Sequence, residues 1–209
     1  MIKPSLQRGI ATSTFRQEVA EYSTGEFATS DQRRRILHLA FHYRLECDTE
    51  PTGWAFVPAA IAPFELQVLA RMCATLDAVR PEIPYGFHRG TSRFDEHGRF
   101  VPGPGDTGLT CSTFIQAIFD WAKIPLLDEA TWELRDEDRV AQQALLAFLR
   151  RNHDATNEYL ATVEAEVGCM RFRAEEVAAS SAMSQRPVPF QVANVEGIRV
   201  RASFERLDL

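Results

Sequence analysis

Apolar and polar residues alternate along residues 35–47, RILHLAFHYRLEC. A period of two is typical of a β-strand, in which successive side chains point to opposite faces of the sheet. His38 and His42 are four residues apart in this pattern, so we expect both on the same, more polar face of one strand. Residues 54–59, WAFVPA, follow a loop with proline and glycine, which predicts a hairpin between the two strands.

Helical periodicity follows in four later segments. Apolar residues recur every three or four positions in residues 64–79, FELQVLARMCATLDAV, which predicts an amphipathic helix. Residues 111–123 form a second predicted helix, which ends before Pro125 and faces inward with Phe114, Ile115, Ile118, Phe119 and Ala122. A third helix is predicted at about 136–152, with an inner face of Val140, Ala144, Leu145, Phe148 and Leu149. A fourth is predicted at about 154–167, with Asp154 as its cap.

The remaining patterns complete a prediction of the α+β class. Residues 12–22 suggest a short helix, residues 93–100 suggest the tip of a hairpin, and residues 169–183 suggest an extended piece that runs into a helical turn. Residues 189–207, PFQVANVEGIRVRASFERL, alternate on both sides of a glycine and predict a terminal β-hairpin. Strands in pairs with helices grouped between them favour α+β over a doubly wound parallel sheet.

Composition narrows the classes of function. With 209 residues, 45% of them apolar, the chain is long enough to bury a core, and we predict a single domain over residues 1–209. A net charge of -6 argues against nucleic acid as a partner. The first residues carry charges and no apolar core of a signal peptide, so we expect a cytoplasmic protein without a membrane span. Four widely spaced cysteines favour free thiols and no zinc knuckle, and we expect no cofactor.

One cysteine has a setting unlike the others. Cys111 lies in residues 102–119, PGPGDTGLTCSTFIQAIF, where a glycine-rich polar loop turns into the second helix. Free amide N–H groups at a helix start lower the pKa of a thiol from about 8.5 and can hold the oxyanion of a tetrahedral intermediate. We therefore interpret Cys111 as a candidate nucleophile. The candidate caps are Asp106, Thr107 and Thr110, and the candidate substrate-binding residues are Asp106, Thr110 and Ser112.

The alternative is that Cys111 is a buried core residue, since free cysteine is among the most buried residue types. That interpretation is the one we adopt for Cys47, Cys73 and Cys169, which lack a helix-start setting. An exposed or ionised thiol at Cys111 would favour the nucleophile over the buried core residue.

A cysteine nucleophile needs a histidine base that a third polar group orients. His38 is our first candidate and His42 the second, while His97 reads as an exposed turn residue, His153 as the end of a helix and His88 as ambiguous. Two histidines four apart on a strand are separated by about 13 Å, too far to share one metal ion. We therefore predict no metal site.

The segment GLTCSTFIQAIF resembles the nucleophile helix of the NlpC-type papain-like cysteine hydrolases. The order of His38-Leu39-Ala40-Phe41 before Cys111 is similar to the circularly permuted branch of that superfamily, which includes relatives of lecithin retinol acyltransferase. The segments IPYGF and RAEEVAASS are also similar, and the resemblance covers roughly residues 25–181. It implies a small antiparallel sheet packed against helices, with a third polar residue that sequence leaves open among Asp48, Glu50, Thr52 and Asp106.

The resemblance implies a cysteine-dependent hydrolase or acyltransferase acting on an amide, ester or thioester. Substrates in the superfamily include peptidoglycan stem peptides and lipid acyl groups, so a small molecule or peptide is the expected partner. One alternative is a catalytically inactive papain-like domain that binds a ligand or a protein. Another is an interaction module built on the strand pair, and the oligomeric state is left open.

Overall fold

The computed structural model describes residues 36–48, 56–151 and 155–206. The predicted helix at 12–22, together with Asp154 and His153, lies outside these residues. The helices are α1 (Pro63–Val79), α2 (Cys111–Trp121), α3 (Asp136–Leu149), α4 (Asn157–Ala165), α5 (Ala174–Ser181) and α6 (Phe190–Glu205). The strands are β1 (Ile36–Phe41), β2 (Arg44–Asp48), β3 (Arg93–Phe94), β4 (Phe100–Val101), β5 (Leu127–Asp128) and β6 (Val188–Pro189). A 3₁₀ turn covers Glu129–Thr131.

This element content confirms the predicted α+β class. The described strands pair two by two, with β1–β2 and β3–β4 antiparallel and β5–β6 parallel. The β3–β4 pair is the hairpin predicted around residues 93–100. Within the described part of the chain, no helix combines the length and apolar character needed to cross a membrane.

The prediction of one long strand over residues 35–47 is wrong. The segment folds into the β1–β2 hairpin, with a turn at His42 and Tyr43. Tyr43 has a φ of 56° and its N–H donates to the carbonyl of Ile83 at 2.9 Å, so a contact from another segment fixes the turn. Residues 56–59, the described part of the predicted second strand, are irregular. His38 and His42 therefore do not share one strand face.

The predicted terminal hairpin is also wrong, because residues 190–205 form helix α6. Gly197 explains how this helix approaches α5 so closely. A Cβ atom at Gly197 would lie 3.1 Å from the backbone nitrogen of Glu176 and 3.2 Å from its Cα. Tertiary packing between α5 and α6 thus outweighs the alternating pattern, as it often does for residues of modest propensity.

Helix α2 lies at the centre of the described fold. Its residues 112–119 are all buried, and it packs against α1, α5, β1 and β3. The predicted inner residues Phe114, Ile115, Ile118 and Phe119 are confirmed, whereas Ala122 is only half-buried; the opposite face of the helix is buried as well up to Phe119, and Asp120 is exposed. A helix that is enclosed on every side leaves only its first and last residues within reach of a ligand.

Helix α3 forms where predicted but turns a different face inward. Val140 is 66% exposed and Phe148 is 44% exposed, and Ala144 is also exposed. The buried residues are Asp138, Gln142, Leu146 and Leu149. The predicted inner face is wrong at Val140, Ala144 and Phe148, whereas Leu149 is buried as predicted and Leu145 is half-buried. The face is turned because the buried polar side chains of Asp138 and Gln142, which engage partners outside the helix, occupy positions that the apolar pattern leaves to solvent. Helix α4 begins after Thr156, whose hydroxyl accepts from the N–H of Tyr159.

Candidate active site

Cys111 is the first residue of α2, and Thr110 is the cap. The Thr110 hydroxyl accepts from the N–H of Thr113 at 3.1 Å, and the Thr113 hydroxyl accepts from the N–H of Thr110 at 2.8 Å. Of the three predicted caps, Thr110 is the one that the structure uses. The N–H groups of Cys111 and Ser112 have no carbonyl acceptor within the helix, as at any helix start, and both favour the ionised form of the Cys111 sulfur.

A cavity of about 560 Å³ opens in front of Cys111. Its walls come from the start of α2, from α3, from the loop before α5 and from the end of α6. Two of the three predicted substrate-binding residues, Thr110 and Ser112, line the cavity. The third, Asp106, is not among the described residues that line it. The lining is mixed in chemistry, with the aromatic rings of Tyr85, Phe87 and Phe172, the acids Glu137, Asp138, Glu175 and Glu205, and the cations Arg171, Arg173 and Arg201.

The surroundings of the Cys111 thiol disfavour its ionised form. Burial raises the pKa of this thiol above its ordinary value, while a hydrogen bond with Ser112 and the positive charge of Arg171 act in the opposite direction. The sulfur lies 3.9 Å from the Ser112 hydroxyl. The helix start therefore does not by itself produce a thiolate, and any reaction at this sulfur needs a base.

Arg171 is held in the cavity wall by a buried ion network. Asp138, at the start of α3, accepts from Arg135 at 2.7 Å, from Arg173 at 2.9 Å and from Arg171 at 3.3 Å. Arg135 also pairs with the buried carboxylate of Glu176 on α5. The network ties α3, α5 and the loop between Gly168 and α5 into one wall opposite α2.

Glu166 holds the loop that leads into α2. Its carboxylate accepts from the N–H groups of Phe87 at 2.7 Å and His88 at 3.1 Å, and from the hydroxyl of Thr107 at 2.6 Å. Sequence reasoning missed this residue, since nothing in a helix-end glutamate indicates three partners so far away in the chain. The carboxylate fixes the position of the backbone immediately before the cysteine helix.

Gly108 lets two backbone segments come together in the same loop. The N–H of Leu109 donates to the carbonyl of Pro84 at 2.9 Å, and a Cβ at Gly108 would lie 2.0 Å from that carbonyl oxygen. Asp106 closes the outer part of the loop by accepting from the N–H of Thr91 and the hydroxyl of Ser92. These residues shape the approach to Cys111 without facing the cavity.

His38 faces two carboxylates. Its Nε2 lies 3.4 Å from Asp48 Oδ2 and 3.7 Å from Glu46 Oε2, and the residue is only 4% exposed. Asp48 is one of the four candidates that the sequence analysis gave for the polar residue that orients the histidine. Glu46 was not among those candidates. Glu46 pairs directly with His38 across the hairpin, so a turn recognised at 42–43 would have predicted this contact.

The hairpin turns His38 away from the cysteine helix. Leu37 and Leu39 belong to the same apolar cluster as Cys111 and Phe114, and β1 packs against α2. Because side chains alternate along a strand, His38 projects from the opposite face of β1. Neither His38 nor His42 belongs to the described residues that line the cavity.

His42 is buried among aromatic rings. Its Nδ1 accepts from the N–H of Tyr85 at 3.1 Å, and the rings of Tyr43 and Tyr159 lie 4.1 Å and 4.4 Å away. An accepting Nδ1 places the proton of a neutral imidazole on Nε2. Since Tyr85 also lines the cavity, one residue separates His42 from the cavity space.

The other sequence candidates lie elsewhere. His97 is in the exposed β3–β4 turn as predicted, and the ambiguous His88 is 3.1 Å from Asp106 at the surface. Cys47, Cys73, Cys111 and Cys169 are all free thiols, as predicted. Burial raises the pKa of Cys73 to about 12 and that of Cys169 to about 11.

Comparison of the chain with protein-family models, with curated proteins and with solved structures gives no match.

Proposed function

We propose that Cys111 is the nucleophile of a cysteine-dependent hydrolase or acyltransferase that acts on an amide, ester or thioester. One observation carries the proposal: the thiol is the first residue of a capped helix and opens onto a cavity of about 560 Å³. A helix start supplies amide N–H groups, and the cavity supplies space for an acyl group beside the sulfur.

The chemistry proceeds through a covalent thioester. The Cys111 sulfur attacks the carbonyl carbon, the carbonyl oxygen takes up negative charge, and N–H groups at the start of α2 stabilise it. The leaving amine, alcohol or thiol departs with a proton, and water or a second acceptor then takes the acyl group from sulfur. Because burial raises the pKa of the thiol, a base has to remove its proton during the attack.

His38 is the proposed base, and His42 remains the rival. The carboxylates of Asp48 and Glu46 beside Nε2 favour the imidazolium that forms when Nδ1 takes the thiol proton. His42 uses Nδ1 to accept from the backbone N–H of Tyr85. Because His38 projects from the face of β1 opposite α2, the proposal requires the β1–β2 hairpin to reorient before the proton is transferred.

The papain-like permuted fold belongs to the same proposal. Two features support it. The β1–β2 hairpin with His38 precedes helix α2 with Cys111 in the chain, and β1 packs against α2. The mixed lining of the cavity suits an acyl group or peptide that carries both apolar and polar parts, so a small molecule or peptide is the proposed partner.

The second candidate function is a catalytically inactive domain that binds a ligand in this cavity. The raised pKa of Cys111 and the absence of both candidate bases from the described lining favour it. In that case Cys111 acts as a small apolar wall residue, and Arg171 and its neighbours orient a polar ligand.

Acetylation by p-nitrophenyl acetate separates the two functions. A nucleophilic Cys111 forms a thioester and releases p-nitrophenolate, which intact mass and peptide mapping locate at this residue. We expect Cys111→Ser to lose at least nine-tenths of the acetylation while Cys73→Ser keeps it. His38→Gln is expected to slow the step more than His42→Gln. Equal acetylation of the wild type and Cys111→Ser, with both proteins folded, would discard the enzyme in favour of the binding domain.

A further inference from the structure

A cluster of three possible metal ligands lies on the β1–β2 hairpin. His38 Nε2 and one carboxylate oxygen each of Glu46 and Asp48 all lie within 4.8 Å of one another. The arrangement comes from strand geometry, since Glu46 pairs directly with His38 and Asp48 follows two residues along the same face. We propose that these three residues bind a divalent transition-metal ion, with Zn²⁺ as the best fit.

The distances suit a four-coordinate ion. An ion with bonds of about 2.0 to 2.2 Å in a tetrahedral arrangement has ligand atoms separated by about 3.3 to 3.6 Å. Nε2 is 3.4 Å from Asp48 Oδ2 and 3.7 Å from Glu46 Oε2. Side-chain adjustments of a few tenths of an ångström therefore bring two of the three pairs to the ideal spacing. Three protein ligands leave the fourth position to water, as in exchangeable zinc sites.

Charge and ligand type favour a transition metal over Mg²⁺ or Ca²⁺. Two carboxylates neutralise a divalent cation, and an imidazole suits Zn²⁺ while the harder ions prefer oxygen alone. Arg44 bonds to Glu46 through Oε1, which leaves Oε2 as the oxygen nearest to His38. Cys47 alternates to the other face of β2, opposite Leu37, so the site is predicted to have no sulfur ligand.

The metal site can be tested without any substrate, so it does not rest on the proposed function. The two are linked at one atom, because an imidazole that coordinates an ion through Nε2 is a weaker base at Nδ1. If His38 is the base, metal binding lowers the acetylation rate at Cys111. A chain that binds the ion, but whose Cys111 is not acetylated even in the metal-free form, would uphold this site and refute the proposed enzyme.

Co²⁺ absorption spectroscopy on the full chain, followed by competition with Zn²⁺, tests the site. We expect one Co²⁺ per chain with the visible bands of a four-coordinate nitrogen and oxygen site, without the intense thiolate charge-transfer band. Glu46→Gln and Asp48→Asn change partly exposed side chains and are expected to weaken binding at least tenfold. His38→Gln is expected to abolish it.

The matched control is the exposed pair of His97 and Glu96, in which Nε2 is 3.5 Å from a carboxylate oxygen. His97→Gln and Glu96→Gln are expected to leave Co²⁺ binding unchanged. Urea unfolding of each variant shows whether a loss of binding comes from a loss of folding. A wild type that binds no Co²⁺, a thiolate spectrum, or equal binding by folded Asp48→Asn overturns the proposal.

Discussion

Cys73 and Cys111 contact the same apolar cluster from two different helices, and their surroundings differ in one decisive way. Cys73 is in the middle of α1, where burial and the nearby Cys47 raise its pKa to about 12. Cys111 begins α2, borders the cavity, and has Ser112 and Arg171 beside it to oppose the effect of burial. The position of a cysteine along a helix, more than its burial, thus decides whether a substrate can reach it.

The largest expected effect concerns Cys73 at alkaline pH. A pKa raised in the folded state means that stability is fully present below the unfolded pKa and is lost as pH rises toward the folded pKa. With an ordinary value of 9.0 and a folded value of about 12, Cys73 alone removes about 2 kcal/mol between about pH 8 and about pH 10.5. Urea unfolding at both pH values measures it. Cys73→Ala should reduce this loss, and an unchanged pH dependence would contradict the assigned burial.

The second effect is a difference in labelling rate between the two thiols. At about pH 8 we expect iodoacetamide to modify Cys111 at least tenfold faster than Cys73 in the folded protein, because the cavity gives access and Arg171 favours the thiolate. Peptide mapping after timed quenching gives both rates. A histidine base would extend the Cys111 reaction below pH 8, whereas a thiol without one reacts only as pH rises. Equal rates at the two cysteines would remove the contrast.

The third effect is the loss of the helix cap beside Cys111. Thr110→Ala is expected to cost about 1 kcal/mol of unfolding free energy and to slow labelling of Cys111 by disturbing the helix start. Thr156→Ala, which removes the equivalent cap of α4, is the matched control and should cost a similar free energy without changing that rate. If both variants alter labelling alike, the cap of α2 has no special link to the thiol.

The smallest effect is the cost of replacing each sulfur by oxygen. Cys111→Ser should change the free energy of unfolding by less than about 0.5 kcal/mol, because the new hydroxyl faces the cavity. Cys73→Ser should cost about 1 to 2 kcal/mol, because its hydroxyl is largely surrounded by apolar side chains without a cavity in front of it. Thermal or urea denaturation compares the two. A greater loss at Cys111 would show that its sulfur is a packing residue.

Local sequence patterns were sufficient to predict the helices that pack on the main apolar core. The apolar positions of α1 and α2 recur with the helical period, and the turn residues between β3 and β4 indicate their hairpin. The α+β class follows from those elements. The start of α2 at Cys111 was also predictable, because Thr110 is a good cap and glycines precede it.

Long-range contacts decided the elements that sequence reasoning misplaced. The alternation of residues 35–47 runs straight through the turn, which depends on a bond from Tyr43 to Ile83. The helix at residues 190–205 depends on the close approach of Gly197 to α5. The cavity walls depend on Arg171 and Asp138, which meet only in the folded chain. No window of neighbouring residues contains these contacts, so no local pattern predicts them.

Glu166 accepts hydrogen bonds from the backbone N–H groups of Phe87 and His88 and from the Thr107 hydroxyl. These bonds have a consequence during protein synthesis. Chains emerge from the ribosome with the N-terminus first, so the cysteine helix is outside the exit tunnel well before its anchoring glutamate. Until Glu166 emerges, the loop before α2 lacks these hydrogen bonds, and the cavity beside the Cys111 thiol is incomplete. The cavity in front of Cys111 is therefore complete only after Arg171 and Glu205, which also line it, have been translated.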